Sequence, residues 1–454
     1  MRRRGLLLAL PLGAVALGSC DPNAPAPPED LPGSGAGTES DGRPDIAVDP
    51  EPTLIGEFAD PVDPTTVRLP LEMGVMIVVD PGWTAMPQVL DGIFLGYEEG
   101  GDDAGGADGE DGANGVGGAD GGDRLRFTAL DQDGTALWSA QRPLSCTGFA
   151  LSRDADGRAV AVLTDRAADG GADPMTTATG YDLRTAETLW GPVAVPGPLV
   201  APGLIFSAAP ESDDGARIAL SAGTGEVLLT DDALDEGRLL AEHSGLVLHT
   251  EGAELVARDS GDGADGADGA DGADGADGAD GTDGSDRWRL DLPEGVDAST
   301  VRVAGPVDDS RQRAVLVDGA HSGVLVDLAE GRLLAEDVSA AAYDHGLDVT
   351  VVASGRLVRG LEEDGTEAWR HEDPEELVFL TAGERLAYAQ RPEEGTLVVL
   401  DTSKGEMVQP YDADLTGLLA VPELFTEDAA TSVHVEDTRY LVTTRLDEEY
   451  GMRS

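Results

Sequence analysis

A short hairpin pattern that returns about every 40 residues constrains this chain more than any other feature. Each copy has a β-type run that ends in Asp or a small residue, a turn that contains Gly, and a second β-type run that often ends in Trp. The acidic or polar residues open the turn, and Gly supplies the left-handed conformation that short hairpin loops require. The copies lie at residues 127–139, 178–191, 217–230, 254–292, 324–336, 357–371 and 397–409.

The fourth copy is interrupted by an acidic run in which GAD is written six times over residues 263–280. Its two halves, ELVARDS and DRWRLDL, match the halves of the uninterrupted copies. We therefore interpret residues 260–286 as an insert at a hairpin tip, where the entropy of loop closure grows only logarithmically with loop length. Residues 98–123 form a second acidic insert between two β-type runs. We expect both to be disordered loops, and weak calcium binding by their aspartates is the alternative.

The spacing of the turns predicts the architecture. Once the insert is subtracted, the interval between the turn of the fourth copy and the next turn is close to the other intervals. A period near 40 residues with four short strands is the length of a propeller blade. Alternating patterns dominate and no long helical period occurs. The C-terminal stretch supplies about three further strands, and residues 65–79 supply the missing one. The expected fold is all-β, a single propeller of four-stranded antiparallel blades over 67–454, with eight blades and seven as the alternative.

The repeat resembles the pyrroloquinoline-quinone (PQQ) type of β-propeller repeat, which ends in a stretch similar to ALDxxTGxxLW. Asp131, Gly134 and Trp138 carry the resemblance best, and the other copies carry parts of it over roughly residues 84–445. The resemblance implies that the blade tryptophans dock on the neighbouring blade as packing residues and not as a ligand site. These are Trp138, Trp190, Trp288 and Trp369.

Enzymatic function is weakly supported. Quinone-dependent dehydrogenases of this fold resemble one another in a vicinal Cys pair, a calcium ion held by Glu and Asn, and a catalytic Asp. This chain has no Cys-Cys, and its asparagines are Asn23 in the N-terminal segment and Asn114 in an insert. A propeller-based hydrolase that uses an unidentified carboxylate pair is the other enzymatic alternative. We expect no catalytic residue and no cofactor, and a non-catalytic binding or scaffolding role.

The first twenty residues predict the location of the protein. Three arginines precede an apolar run of about twelve residues, which is too short to span a bilayer and fits a secretory signal. The run ends in Leu-Gly-Ser-Cys at 17–20, which resembles the lipobox of bacterial lipoproteins. This implies a signal peptide at 1–19 and a lipid anchor on Cys20. Proline-rich residues 20–66 then read as a disordered tether, and a chance cysteine after an ordinary signal is the alternative.

Composition limits the partners and the sites. The net charge is −58, from 88 acidic and 30 basic residues, which disfavours nucleic acid and anionic lipid. Cys20 and Cys146 are the only cysteines and the six histidines lack ligand spacing, so no metal site is expected. The DxDG turns at 131–134 and 154–157 are predicted to be turns and not calcium loops. We expect an extracytoplasmic, membrane-anchored protein whose partner is another envelope protein, with any small-molecule ligand unknown. This combination resembles the barrel-assembly lipoproteins in architecture, without a residue motif that carries over a partner site.

Overall fold

The computed structural model describes residues 51–73, 77–99, 124–167, 175–208, 216–234, 237–243, 245–259, 286–308, 312–318, 322–414 and 416–443. Over these residues the chain forms a β-propeller of eight blades, and each blade is a sheet of four or five antiparallel strands. The predicted fold class and the choice of eight blades over seven are confirmed. The helical elements in the described ranges are three short 3-10 helices: Pro64–Thr66, Leu71–Met73 and Asp231–Ala233.

Blades 1 to 4 follow a group of four short strands at the N-terminal end. These are β1 Thr53–Phe58, β2 Asp60–Pro61, β3 Val67–Arg68 and β4 Ile77–Asp80. Blade 1 contains β5 Gln88–Leu90, β6 Ile93–Glu99, β7 Arg124–Asp131 and β8 Thr135–Pro143. Blade 2 contains β9 Phe149–Arg153, β10 Ala159–Ala167, β11 Met175–Asp182 and β12 Thr188–Ala194. Blade 3 contains β13 Leu199–Ala201, β14 Ile205–Ser207, β15 Arg217–Leu220 and β16 Val227–Thr230. Blade 4 contains β17 Gly237–His243, β18 Leu246–Glu251, β19 Glu254–Asp259 and β20 Asp286–Asp291.

Blades 5 to 8 repeat the same four-stranded order. Blade 5 contains β21 Arg302–Pro306, β22 Arg313–Asp318, β23 Ser322–Asp327 and β24 Arg332–Glu336. Blade 6 contains β25 Ala340–Asp344, β26 Val349–Ser354, β27 Leu357–Leu361 and β28 Glu367–Glu372. Blade 7 contains β29 Val378–Gly383, β30 Leu386–Arg391, β31 Thr396–Asp401 and β32 Glu406–Met407. Blade 8 contains β34 Val421–Phe425, β35 Thr431–Val435 and β36 Thr438–Thr443, and β33 Leu418–Leu419 pairs with β3.

The ring is closed by strands from both ends of the chain. The N-terminal strand β4 is the fourth strand of blade 8 and pairs with β36, with Val79 opposite Leu441 and Ile77 opposite Thr443. This is the closure that the sequence pattern predicts. The backbone hydrogen bonds between β4 and β36 attach the N-terminal segment, which continues into blade 1, to the last blade. The ring is closed in this way, and the third strand of blade 8 is not left as an unpaired edge.

The ordered ring begins earlier than the predicted boundary at residue 67. Residues 53–66, assigned to the tether by the sequence analysis, include β1, β2 and a 3-10 helix. β1 pairs with β8 as a fifth strand of blade 1, and β2 pairs with β4 as a fifth strand of blade 8. They directly follow a proline-rich segment that matches a tether, but pairing with β8 and β4 gives them backbone partners that composition does not reveal.

The core is divided among the blade junctions. First strands of adjacent blades contact one another at four junctions, β5 with β9, β17 with β21, β25 with β29 and β29 with β34, which places the first strands toward the axis and the fourth strands at the rim. Eight buried apolar clusters occur in the described residues, and each joins side chains of two neighbouring blades. The sheets are therefore held by face-to-face packing between blades, because each four-stranded sheet is too small to bury its own apolar surface.

The two acidic inserts lie outside the described residues, and the strands that flank them place their attachment points on opposite faces of the ring. The chain between β6 and β7 carries residues 100–123 and joins the second and third strands of blade 1. The chain between β19 and β20 carries residues 260–285 and joins the third and fourth strands of blade 4. Since successive strands of a blade run in opposite directions, these two kinds of connection lie on opposite faces. Both inserts interrupt paired strands. Glu98 lies opposite Arg126 in β6 and β7, and Arg258 lies opposite Asp286 in β19 and β20, next to a register shift.

Candidate functional site

Four tryptophans connect blades at the rim of the ring. Each lies on a fourth strand, and its indole Nε1–H donates to a backbone carbonyl in the next blade. The four bonds are Trp138 to Leu183 at 2.8 Å, Trp190 to Ala222 at 2.6 Å, Trp288 to Leu328 at 2.8 Å and Trp369 to Thr402 at 2.5 Å. Trp138, Trp190 and Trp369 are buried and Trp288 is half-buried, and together with the satisfied N–H this makes each tryptophan a packing residue at the junction.

The accepting turns share one geometry. We call the connection between the third and fourth strands of a blade its outer turn. In blades 2, 3, 5 and 7 the fifth turn residue donates its N–H to the carbonyl of the first, which leaves the second carbonyl free for the indole. The fifth residue has a left-handed backbone, with φ between 59° and 72°, in all four: Ala186, Gly225, Gly331 and Gly405.

The outer turns of the other blades differ, and no indole docks on them in the part of the chain that the structure describes. In blades 1 and 6 the turn is one residue tighter, with Gly134 N–H bonded to Asp131 and Gly365 N–H bonded to Glu362. In blade 4 the insert occupies the turn, and in blade 8 the two ends of the chain meet there. The long insert and the ring closure therefore both use outer turns that carry no tryptophan lock.

The residue opposite each tryptophan is small. Ala129, Gly180, Ala257 and Gly360 on the third strands face the four indoles in register. A Cβ placed on Gly180 or Gly360 would meet the indole ring directly. Blade 5 reverses the pair, with Leu325 opposite Ala335. In blade 5 the large and the small side chain thus exchange strands, and the combined side-chain volume at this rim position stays filled, as close packing requires.

The acidic turns are explained by their backbone bonds. Asp131 Oδ1 accepts from the N–H groups of Asp133 and Thr135 at 3.0 and 2.9 Å. Asp154 Oδ1 accepts in the same way from Asp156 and Arg158. Across the described residues, no group of three or more His, Cys, Asp or Glu side chains is arranged to hold a metal ion. These aspartates act as turn-forming residues because one carboxylate oxygen bridges two backbone donors.

A buried carboxylate links two blades that are not neighbours. Glu242 at the end of β17 is fully buried and accepts a 2.6 Å hydrogen bond from Ser152 Oγ on β9 and a 3.0 Å bond from Gly245 N. Blade 3 lies between them, and its strands are only three or four residues long. A Cβ on Gly203 of blade 3 would collide with the Glu242 backbone, so the chain passes very close at this point. Such a bonded buried carboxylate fixes the spacing of blades 2 and 4.

Two further buried charges also join blades. Arg142 of blade 1 donates to the Tyr181 hydroxyl of blade 2 at 2.7 Å and lies 3.9 Å from Asp165. Arg391 of blade 7 donates to both oxygens of Asp373, which follows blade 6, at 3.0 and 2.8 Å. These bonds hold the pKa of Asp373 at about 2. The Asp373 carboxylate therefore remains charged at neutral pH, and both ion pairs link neighbouring blades.

The histidines in the described ranges belong to blades 4, 6 and 8, and they form no metal-binding group with other ligand side chains there. His249 on β18 is 1 % exposed, and burial followed by the nearby Arg258 charge lowers its pKa to about 4. Burial also lowers the pKa of His434 on β35. At neutral pH a buried neutral imidazole contributes packing volume to its blade. Protonating it costs free energy of folding, because the charge would be buried.

The remaining predicted residues fall in two groups. Cys146 is buried next to blade 2 and lies in the segment between β8 and β9, as a small apolar side chain would. Cys20 and the predicted signal and tether up to residue 50 lie outside the described residues. Trp83, which no sequence pattern singles out, is 1 % exposed and packs on Gly96 while its Nε1–H donates to the Thr128 carbonyl. It precedes the first hairpin copy, so the repeat gives no signal for it.

No helix among the described residues combines the length and the apolar character that crossing a bilayer requires. No protein-family model matches the chain, and no curated protein matches it.

Solved propellers resemble it at low identity. BamB from Moraxella catarrhalis is 12% identical with a TM-score of 0.44, covering 81% of this chain and 98% of its own. The computationally designed Ika8 protein is 14% identical with a TM-score of 0.40, covering 83% and 99%. Sqt1 from Saccharomyces cerevisiae is 8% identical with a TM-score of 0.37, covering 85% and 99%.

Proposed function

We propose that this chain is a lipid-anchored, extracytoplasmic β-propeller that binds or scaffolds another envelope protein and catalyses no reaction. The observation that carries the proposal is that the buried polar groups described above form bonds between blades. Glu242, Asp165 and Asp373 each lie in a bond or ion pair between blades, and the rim indoles are bonded to backbone carbonyls. A ring fixed in this way is a rigid platform, and its surface and loops are free to contact a partner.

The anchor is part of the proposal because of the sequence motif at 17–20. With Cys20 lipidated, residues 21–52 connect the bilayer to β1 as a tether of 32 residues. Such a segment spans at most about 110 Å when fully extended. The propeller would thus stay close to proteins of the same membrane. The surface charge also favours neutral or cationic partners, since the net charge is −58.

Metabolic lipid labelling tests the anchor. Cys20→Ala should abolish labelling and release the protein from membranes, while the matched variant Cys146→Ala should keep both, because that side chain is buried in the ring. Unchanged labelling of Cys20→Ala would overturn the anchor. Reconstitution with the quinone and calcium, followed by dye-linked alcohol or sugar oxidation, tests the absence of catalysis. Clear turnover would overturn the non-catalytic role and favour a quinone-dependent dehydrogenase, the alternative that the PQQ-type resemblance raises.

A further inference from the structure

The outer edges of the eight blades are not equally protected. An unpaired edge strand is a template for pairing with another chain, and natural sheets protect such edges with charge, proline or short length. Charged residues line β20, β24 and β28, prolines stand in β12 and β2, and β32 and β16 are only two and four residues long. Seven of the eight edges therefore carry a protective device.

The eighth edge, β1, is longer than β16 and β32 and less charged than β20, β24 and β28, and its one irregularity is a register shift between Leu54 and Glu57. Its sequence TLIGEF contains one charge and no proline, and five of its six residues are exposed. Leu54 is 68 % exposed and Ile55 is 38 % exposed. β1 pairs on one side with β8, and no strand of the described chain lies on its other side. Phe58 packs against the blade 1 outer turn, where a Cβ on Gly134 would meet its ring, so the strand is fixed at its C-terminal end.

The position of β1 is also distinctive. It is the first described strand, and it directly follows the proposed tether at residues 21–52. The tether would therefore keep it near other proteins of the same membrane. A second copy of the chain would bring another −58 charge to the same place, which opposes association. A basic strand would be attracted and a neutral strand would not be repelled, and a basic residue placed opposite Glu57 would form a cross-strand charge pair.

We propose that the free edge of β1 is the docking edge for an extended strand of another envelope protein, with apolar residues at alternate positions and a neutral or basic character. The proposal deepens the scaffolding role and rests on it. Backbone hydrogen bonds to β1 would provide affinity, and contacts with Leu54 and Ile55 would provide specificity. The added strand would become the sixth of the blade 1 sheet, which has five in the structure.

Site-specific photo-crosslinking in the cells that produce the full chain tests the docking edge. Benzoylphenylalanine is placed at Leu54, and at Val227 and Met407 as controls, because both controls are 55 % exposed apolar residues on protected edges. We expect an adduct with another protein from position 54 at least tenfold above either control. Mass spectrometry should map it to an extended segment of the character stated above. Adding Ile55→Lys should remove the adduct, while Ile55→Val should keep it at an unchanged melting temperature.

Several results would overturn the proposal. An adduct at twice the chain mass would assign the edge to a second copy, and an adduct within residues 21–50 would assign it to the tether. Adducts from Val227 or Met407 but not from Leu54 would reject the edge and leave the scaffolding role in place. Absence of adducts from all three positions would reject the edge, and the scaffolding role would then depend on the anchor experiment.

Discussion

Gly180 and Trp190 lie opposite each other on adjacent strands of blade 2, and the indole covers the position where a Cβ on Gly180 would be. Blade 3 has Ala219 and Leu229 at the equivalent places. The two blades therefore fill the same rim position with different pairs of side chains, and the volumes of the two residues should be energetically coupled.

A double-mutant cycle on this pair measures the coupling. Gly180→Ala alone should destabilise the ring by about 1–3 kcal/mol, because the new methyl displaces the indole. In the Trp190→Leu background the same change should be nearly neutral, since it recreates the pair of blade 3. Urea unfolding of the four proteins gives the interaction energy, expected at about 1–2 kcal/mol. Additive effects would show that the two residues do not compete for one volume.

Two glycines separate backbone strain from rim packing. Gly252 and Gly331 have nearly the same left-handed φ, 60° and 65°. A Cβ on Gly252 would meet nothing within 4 Å, whereas one on Gly331 would meet the Trp288 ring. Gly252→Ala should therefore cost about 1 kcal/mol and Gly331→Ala about 2–4 kcal/mol. Equal losses of stability in thermal melts would mean that the indole does not press on this turn.

Buried histidine should make the ring less stable in mild acid. The folded pKa of His249 is about 4 and the unfolded value is near 6.5, so the unfolded chain binds more protons between these values. Stability should fall as the pH drops from about 6.5 to 4, by up to about 3 kcal/mol from this residue. His249→Leu should reduce the loss of stability between pH 7.5 and 5.0. An unchanged loss would show that His249 is not the group responsible.

Asp373 should act in a separate, lower range of pH. Its pKa of about 2 lies below the ordinary value of 3.8, so the stability it contributes is lost as the pH falls from about 4 to 2. Asp373→Asn should remove this part of the acid transition and leave the His249 range unchanged. A single broad transition in both variants would contradict the assignment of two groups.

The sequence predicts the hairpins because their chemistry is local. An acidic residue such as Asp182 or Asp401 bonds backbone groups two or three residues away, so the turns can be recognised from the sequence alone. Docking of the tryptophans follows from a family resemblance, whereas the acceptor in the next blade lies 32 to 45 residues away and needs the structure.

Pairings between distant residues are hidden from sequence reasoning. Ser152 and Glu242 are 90 residues apart, and no periodicity connects them. β1 directly follows the proline-rich segment, and its place in the ring is set by its pairing with β8, about 80 residues further along the chain. Such residues could be found by asking which buried polar group lacks a local partner, a question that the sequence cannot answer.

The position of the blade 4 insert gives the most direct test of the account, which holds that outer turns without a tryptophan tolerate long insertions. Thermal melting would compare two variants with the natural chain. In one, residues 260–285 are replaced by Asp-Gly; in the other, that segment is moved into the blade 5 outer turn, where Trp288 donates to Leu328. We predict that the first variant melts at the natural temperature or higher, because loop closure favours it by about 1–2 kcal/mol. The second should melt several degrees lower, because the indole loses its acceptor. A large fall in the first variant, or none in the second, would contradict the account.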